Sequence, residues 1–219
     1  MAQADDLLRD GDLAGARAAL VEIVRSQPSN AEARMFLFQL LAVAGEWDKA
    51  RTQLQTLAQV SPEAQMLAAA YGQAIEAEAL RKKVFSGEER PVLLAGVGGW
   101  AEGVADALHL ICKGDVQAGI DARDAAFDNA PDCPGSFNDI PANADGRFGP
   151  VCEAIISGRY GLIPFDAVER IESEGPVDLR DIVWFPVQIA FRSGQSVARR
   201  WQTMRSSDTG SRRTPASWF

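Results

Sequence analysis

Apolar positions in the first third of the chain recur in steps of three and four. Leu20, Ile23 and Val24 form one such stripe, and Leu54, Leu57 and Ala58 form another. That spacing lines side chains along one face of an α-helix. The stripes themselves repeat. Gly11, Asp12, Leu13, Ala16, Arg17, Leu20 and Pro28 return 34 positions later as Gly45, Glu46, Trp47, Ala50, Arg51, Leu54 and Pro62. In each copy a Gly ends one helix and an acidic residue begins the next. Ala16 and Ala50 are small where two helices cross closely. Ser29-Asn30-Ala31-Glu32 reads as a capping box, and Ser61-Pro62 as a cap followed by Pro in the first turn. Arg34, Leu37, Phe38 and Leu41 lie on the helix between them, and Ala68, Tyr71, Gly72 and Ile75 begin the next copy.

The period and residue pattern resemble a tetratricopeptide-like helix pair. Such a pair cannot bury its apolar stripe alone, so it stacks on its neighbour and leaves a curved groove. Residues 64–85 predict one long helix. A degenerate further hairpin comes next, at about 100–112 and 115–129, turning at Lys113-Gly114-Asp115. If the register holds, Glu32, Met35 and Gln39, then Ala69, Gln73 and Glu76, face the groove. This mixed apolar and acidic surface suits an amphipathic helix with Lys or Arg on its flank. The competing reading is a face filled by the chain's own C-terminal part.

From Pro131 the pattern changes. Residues 133–139 and 143–146 are loop-like, and short β-type runs lie beyond them at 151–156, 160–165, 170–174 and 184–191. Gly158-Arg159 and 192–195 are the candidate hairpin turns, and Asp178-Leu179-Arg180-Asp181 reads as a cap opening a short helical turn. The expected fold is therefore α+β. An α-α superhelix of helical hairpins occupies 1–135, a small mostly β domain 136–204, and a loosely ordered basic tail 205–219.

Charge sharpens the picture. The chain of 219 residues carries a formal −8. From Arg192 onward six arginines face Asp208 alone, a local excess of five positive charges, so residues 1–191 carry −13. An acidic body disfavours nucleic acid, whose phosphates need Lys and Arg. No apolar run reaches the roughly 20 residues that span a bilayer. No secretory signal is visible at the N-terminus. The three cysteines, Cys112, Cys133 and Cys152, form no CxxC and suit a reducing compartment. The expected location is the bacterial cytoplasm, with neither nucleic acid nor membrane as partner.

Candidate chemistry is thin. Gly96-Val97-Gly98-Gly99-Trp100-Ala101 matches G-x-G-x-x-A after an apolar run, the dinucleotide pattern. The next element reads as another helix where a second parallel strand would be needed, and Trp100 would crowd a phosphate. A nucleotide- or metabolite-binding regulator using Gly96–Gly99 is the alternative function. His109, the single histidine, shares a helix face with Cys112, but two ligands do not complete a zinc site. The pairs Glu88/Glu89, Glu172/Glu174 and Asp178/Asp181 read as a solvated loop, a strand alternation and a cap. The expectation is no enzyme, no cofactor and no metal. A co-chaperone that clamps C-terminal carboxylates ranks last, since only Arg34 is near the groove.

In the second half, Asp145-Gly146-Arg147-Phe148-Gly149-Pro150-Val151-Cys152-Glu153 continues to Gly158-Arg159-Tyr160 and Ile163-Pro164-Phe165. Ile171-Glu172 and Asp178-Leu179-Arg180-Asp181-Ile182-Val183-Trp184 come after them. In this order the motifs resemble the ImpE family, also called TagJ or SciE-type proteins, over roughly residues 5–195. The resemblance implies an accessory protein of the bacterial type VI secretion system. It would bind a terminal helix of the small contractile-sheath subunit and work beside the ATPase that recycles the sheath. Asp145, Arg147, Gly149, Pro150, Glu153, Asp178, Arg180, Asp181 and Trp184 are the family-motif residues, expected to hold the fold. After about Gly194 the chain departs from the family pattern.

Overall fold

Four of the reversals in the helical part close on a glycine with positive φ. The helices are α1 (Ala2–Arg9), α2 (Leu13–Ser26), α3 (Ala31–Val43), α4 (Trp47–Val60), α5 (Gln65–Phe85), α6 (Gly99–Lys113) and α7 (Val116–Asp128). Gly11, Gly45, Gly87 and Gly114, at φ +80°, +70°, +76° and +104°, end α1, α3, α5 and α6. After α3, the Gly45 N–H donates to Ala42 O at 3.0 Å and the Glu46 N–H to Leu41 O at 2.9 Å. These are the paired bonds that satisfy the last carbonyls of a helix when the next residue turns left-handed. The computed structural model describes residues 2–96, 99–132, 146–194 and 196–197. The expected loop at 133–139 and tail at 205–219 lie outside them, as do Asp145, Val97, Gly98 and Gln195.

The chain divides into two compact units. One comprises residues up to Ile75 together with Val177–Val183. Ala16 and Ala50 are fully buried there, alongside Leu20, Leu37, Phe38, Leu54 and Leu57. The small residues let the paired helices approach, as the repeat requires. Asn30, not Ser29, caps α3, its Oδ1 accepting from the Ala33 N–H at 3.0 Å. The capping box expected from Ser29 and Glu32 is thus set one residue later and lacks its acidic half. Pro62–Ala64 forms a short 3₁₀ turn before α5.

The other unit holds Glu76–Pro176 and the chain from Trp184. Its α6–α7 hairpin crosses closely: a Cβ on Gly103 would lie 3.0 Å from that of Ala126, and one on Gly119 would lie 2.5 Å from Ile111 Cγ1 and 3.0 Å from Ala107 O. β1 (Val151–Ile156) and β2 (Arg159–Pro164) pair antiparallel from Val151↔Pro164 to Ile156↔Arg159. Their turn is Ser157-Gly158, φ +51° and +77°, which matches the right-handed twist of a hairpin. That is one residue earlier than the Gly158-Arg159 expected.

On its other side β2 takes a parallel bridge at Leu93↔Leu162. β3 (Val168–Glu172), β4 (Gln188–Phe191) and β5 (Ser196–Val197) form an antiparallel sheet in the order β3-β4-β5. The run expected at 184–191 is a strand only from Gln188, because Pro186 cannot donate to a ladder. Cys152, Ala154, Ile163, Val168, Ile189 and Phe191 share one core. Among the described residues no helix is long and apolar enough to cross a membrane.

This packing has two measurable outcomes. Gly119→Ala forces a methyl against Ile111 and the α6 backbone, so urea denaturation should show a loss of about 1–3 kcal/mol. Burial pushes the Cys152 thiol up to about 12, with Glu153 adding repulsion. The folded state therefore holds this proton after the unfolded thiol, near 9.0, has released it. That contribution to stability falls as pH rises from about 9 toward 12. Iodoacetamide at pH 8 should leave Cys152 unmodified in the native protein and label it in urea, as read by peptide mass spectrometry.

Candidate partner-binding groove

On α3, Glu32, Met35 and Gln39 lie at the three- and four-residue spacing of one helix face. Glu32 is exposed, while Met35 and Gln39 are half-buried. On α5, Ala69, Gln73 and Glu76 are all exposed. Beneath the α3 residues, Phe38 and Tyr71 meet with ring centroids 5.4 Å apart and planes tilted by 56°. A side chain from far along the chain rests on this floor. The guanidinium carbon of Arg180 lies 4.7 Å from the Tyr71 ring centre, and Arg180 Nη1 is 3.7 Å from Met35 Sδ. Sequence reasoning marked Met35 and Arg180 separately and missed both Tyr71 as the floor and the meeting itself.

Arg180 is delivered by a short, internally braced segment. Asp178 caps the 3₁₀ turn Leu179–Ile182, accepting from the Arg180 N–H at 3.1 Å. Asp181 Oδ2 accepts in return from Val177 and Asp178 N–H at 2.7 and 3.1 Å. The cap expected at Asp178 is therefore present, and its partner is Asp181. Asp178 Oδ2 also pairs with Arg180 Nη2 at 2.5 Å. Burial raises the Asp178 carboxyl, Arg180 pulls it down, and Asp181 repels it. Asp181 and Val183 are buried, whereas Val177 and Ile182 are 84% and 67% exposed.

Comparison with known proteins decides the family. A relative in Pseudomonas aeruginosa, described as type VI secretion system accessory component TagJ, is 41% identical over 218 residues. The match covers 95% of this chain and 78% of that protein. The ImpE protein model matches residues 135–213, and a tetratricopeptide repeat model matches 7–80. The chain belongs to the ImpE family. Protein VPA1032 of Vibrio parahaemolyticus, a crystal structure, shares the fold at 20% identity with a TM-score of 0.76, over 93% of this chain and 77% of that one.

The other described ImpE-motif residues, Arg147, Gly149, Pro150, Glu153 and Trp184, make their contacts within the second unit. Arg81 of α5 grips Glu153 through Nε and Nη2 at 2.7 and 3.3 Å, and Tyr160 donates to the same carboxylate at 2.8 Å. Side-chain exposures of 18% and 7% make this a buried pair. Burial works against the charge on Arg81, but the hydrogen bonds and field of Glu153 outweigh it and raise its pKa. Burial and Glu153 together push the Tyr160 hydroxyl up. Trp184 Nε1 donates to Glu78 at 3.2 Å. The Arg147 guanidinium carbon lies 5.2 Å from the Phe85 ring centre. Gly149, at φ +54°, faces the Phe127 ring where a Cβ would collide. The Pro150 carbonyl accepts from the Phe165 N–H at 3.0 Å. Arg81 and Glu78 carried no signal in sequence, since their partners are more than seventy residues away.

Other sequence candidates resolve individually. The apolar run before the Gly96–Gly99 loop does carry a parallel bridge to β2, a contact the sequence did not disclose. Trp100, the second residue of α6, donates to Asp166 Oδ2 at 3.1 Å, so a carboxylate is already bonded at that helix start. His109 Nδ1 lies 3.3 Å from the Glu89 carbonyl. Arg34 donates to Pro28 O at 2.6 Å and to Gln53 at 3.0 Å, so it is engaged within the fold. Among the described residues no group of three or more His, Cys, Asp or Glu could hold a metal. A separate cleft of about 590 Å³ lies on α2 and α3, lined by Leu13, Ala14, Arg17, Ala18, Val21, Leu40, Val43 and Ala44.

Removing Arg81 would strand a buried carboxylate. Arg81→Met should therefore cost about 3–5 kcal/mol in denaturant unfolding.

Proposed function

We propose that this ImpE-family chain is a non-enzymatic accessory protein of bacterial type VI secretion. In this reading it captures a terminal helix of the small contractile-sheath subunit and assists ATPase-driven recycling of the sheath in the cytoplasm. The observation that carries the reading is the 41% identity, over 95% of the chain, to a type VI secretion system accessory component. The mode of action is read from the helical stack. Its first-helix face carries half-buried Met35 and an acidic edge at Glu32, above the buried ring pair of Phe38 and Tyr71. An amphipathic helix buries its apolar stripe against such a face, and Lys or Arg on its flank answers the acidic edge.

The carboxylate pairs support a role without catalysis. Asp178 and Asp181 are used in capping. Glu172 pairs with Arg170 at 3.2 Å, while Glu88 and Glu89 bond Ser86 and Lys83 at 2.9 Å.

A synthetic peptide of the sheath subunit's terminal helix should bind the full chain at 1:1, read by calorimetry. Met35→Glu and Gln73→Arg should each weaken it about tenfold or more, by burying a charge or opposing the helix's own cations. Val21→Glu, in the α2–α3 cleft, should leave affinity unchanged. Full affinity in both groove variants, with loss in Val21→Glu, would move the site to that cleft.

A further inference from the structure

The groove's chemistry and its present occupant match too closely to ignore. Tyr71 offers an aromatic face and Met35 a polarizable sulfur, the surroundings that attract a cation. The chain fills that position with its own Arg180. We infer that Val177–Val183 is an internal competitor for the α3–α5 groove, and that a partner helix displaces Arg180 and seats a cation of its own on Tyr71. The inference rests on the helix-capture reading above and supplies its regulation.

The build of the segment supports release. Its helical turn has only four residues, Leu179–Ile182, and its bracing bonds run within the segment itself, from Asp178 and Asp181 to Val177, Asp178 and Arg180 N–H. It can therefore leave the groove without losing its local fold. Two of its large apolar side chains, Val177 and Ile182, point to solvent, which leaves Val183 and half-buried Leu179 as the apolar area that holds the segment down. Arg180 Nε is buried yet has no hydrogen-bond partner, a cost that departure relieves. Gly175 before it, at φ +85° with open space around its Cα, and Pro176 break the backbone regularity where the segment begins. The anchor is thus one guanidinium on one ring and one sulfur, together with the buried Val183. A partner with the same chemistry and a longer apolar stripe outcompetes it by burying more surface.

The test compares the full-length wild type with Arg180→Ala and Arg180→Lys. Each is titrated with a fluorescein-labelled peptide of the sheath subunit's terminal helix, and amide hydrogen exchange is followed with and without peptide. Arg180→Ala should bind about tenfold tighter, with Arg180→Lys intermediate because it keeps the charge but not the plane. In the wild type, peptide should accelerate exchange at Val177–Val183. Wild-type binding with unchanged or weaker affinity in Arg180→Ala overturns the competition and leaves helix capture standing. So does unaltered exchange across the segment in a complex that has formed. Absence of binding by all three proteins overturns helix capture, and the competition with it.

Discussion

A carboxylate out of water must find its donors inside the protein, and Glu153 sets that condition for the second unit. It lies on β1, where its neighbours Cys152 and Ala154 are core residues. Only a cation with planar, paired donors answers a buried carboxylate well, and Arg81 supplies Nε and Nη2 from α5. Tyr160 across the hairpin contributes the third bond. The strand pair and the helix are thereby fixed by one group whose alternatives are all costly. Glu78 and Trp184 repeat the logic one turn earlier on the same helix, with a buried acid satisfied by an indole N–H.

The first unit is held differently. Its interior is mostly apolar, built from alanines at helix crossings and leucines along the stripes, with Arg34 and Asp181 its buried charged residues. Other polar bonds lie at the edges, as where Arg17 and Lys49 both reach Glu46 at the start of α4. On the first-helix face of this stack Arg180 lies over Tyr71 and against Met35. Arg180 resting there is a weak contact by comparison with the Arg81–Glu153 pair, since a ring quadrupole attracts less strongly than a full carboxylate.

What the sequence disclosed, and what it hid, divides along contact distance. Helix ends were legible because the cause is local: Gly11 and Gly45 are the residues whose own backbone turns left-handed. The 34-residue period exposed Ala16 and Ala50 as crossing points for the same reason. Boundaries slipped where two local candidates competed, as with Ser29 and Asn30, or where Pro186 delayed β4. The bridge from Leu93 to Leu162 and the meeting of Arg180 with Met35 join residues that no periodicity relates. Of the proposed groove, the sequence revealed the helices and the acidic edge, while Tyr71 as a seat for a cation emerged only from coordinates. The ImpE-motif residues were recognisable as a pattern, yet their individual tasks, a stacking arginine, a glycine against a ring, a reciprocal cap, were not.

The glycine-closed reversals have a consequence for how such a stack can change. The α1–α2, α3–α4 and α6–α7 hairpins each turn on a glycine of their own. Inserting or deleting a whole hairpin would disturb only the faces it adjoins. The reach of the helical array is therefore a quantity that lineages can lengthen or shorten in single steps, while the braced strand region downstream has no comparable freedom.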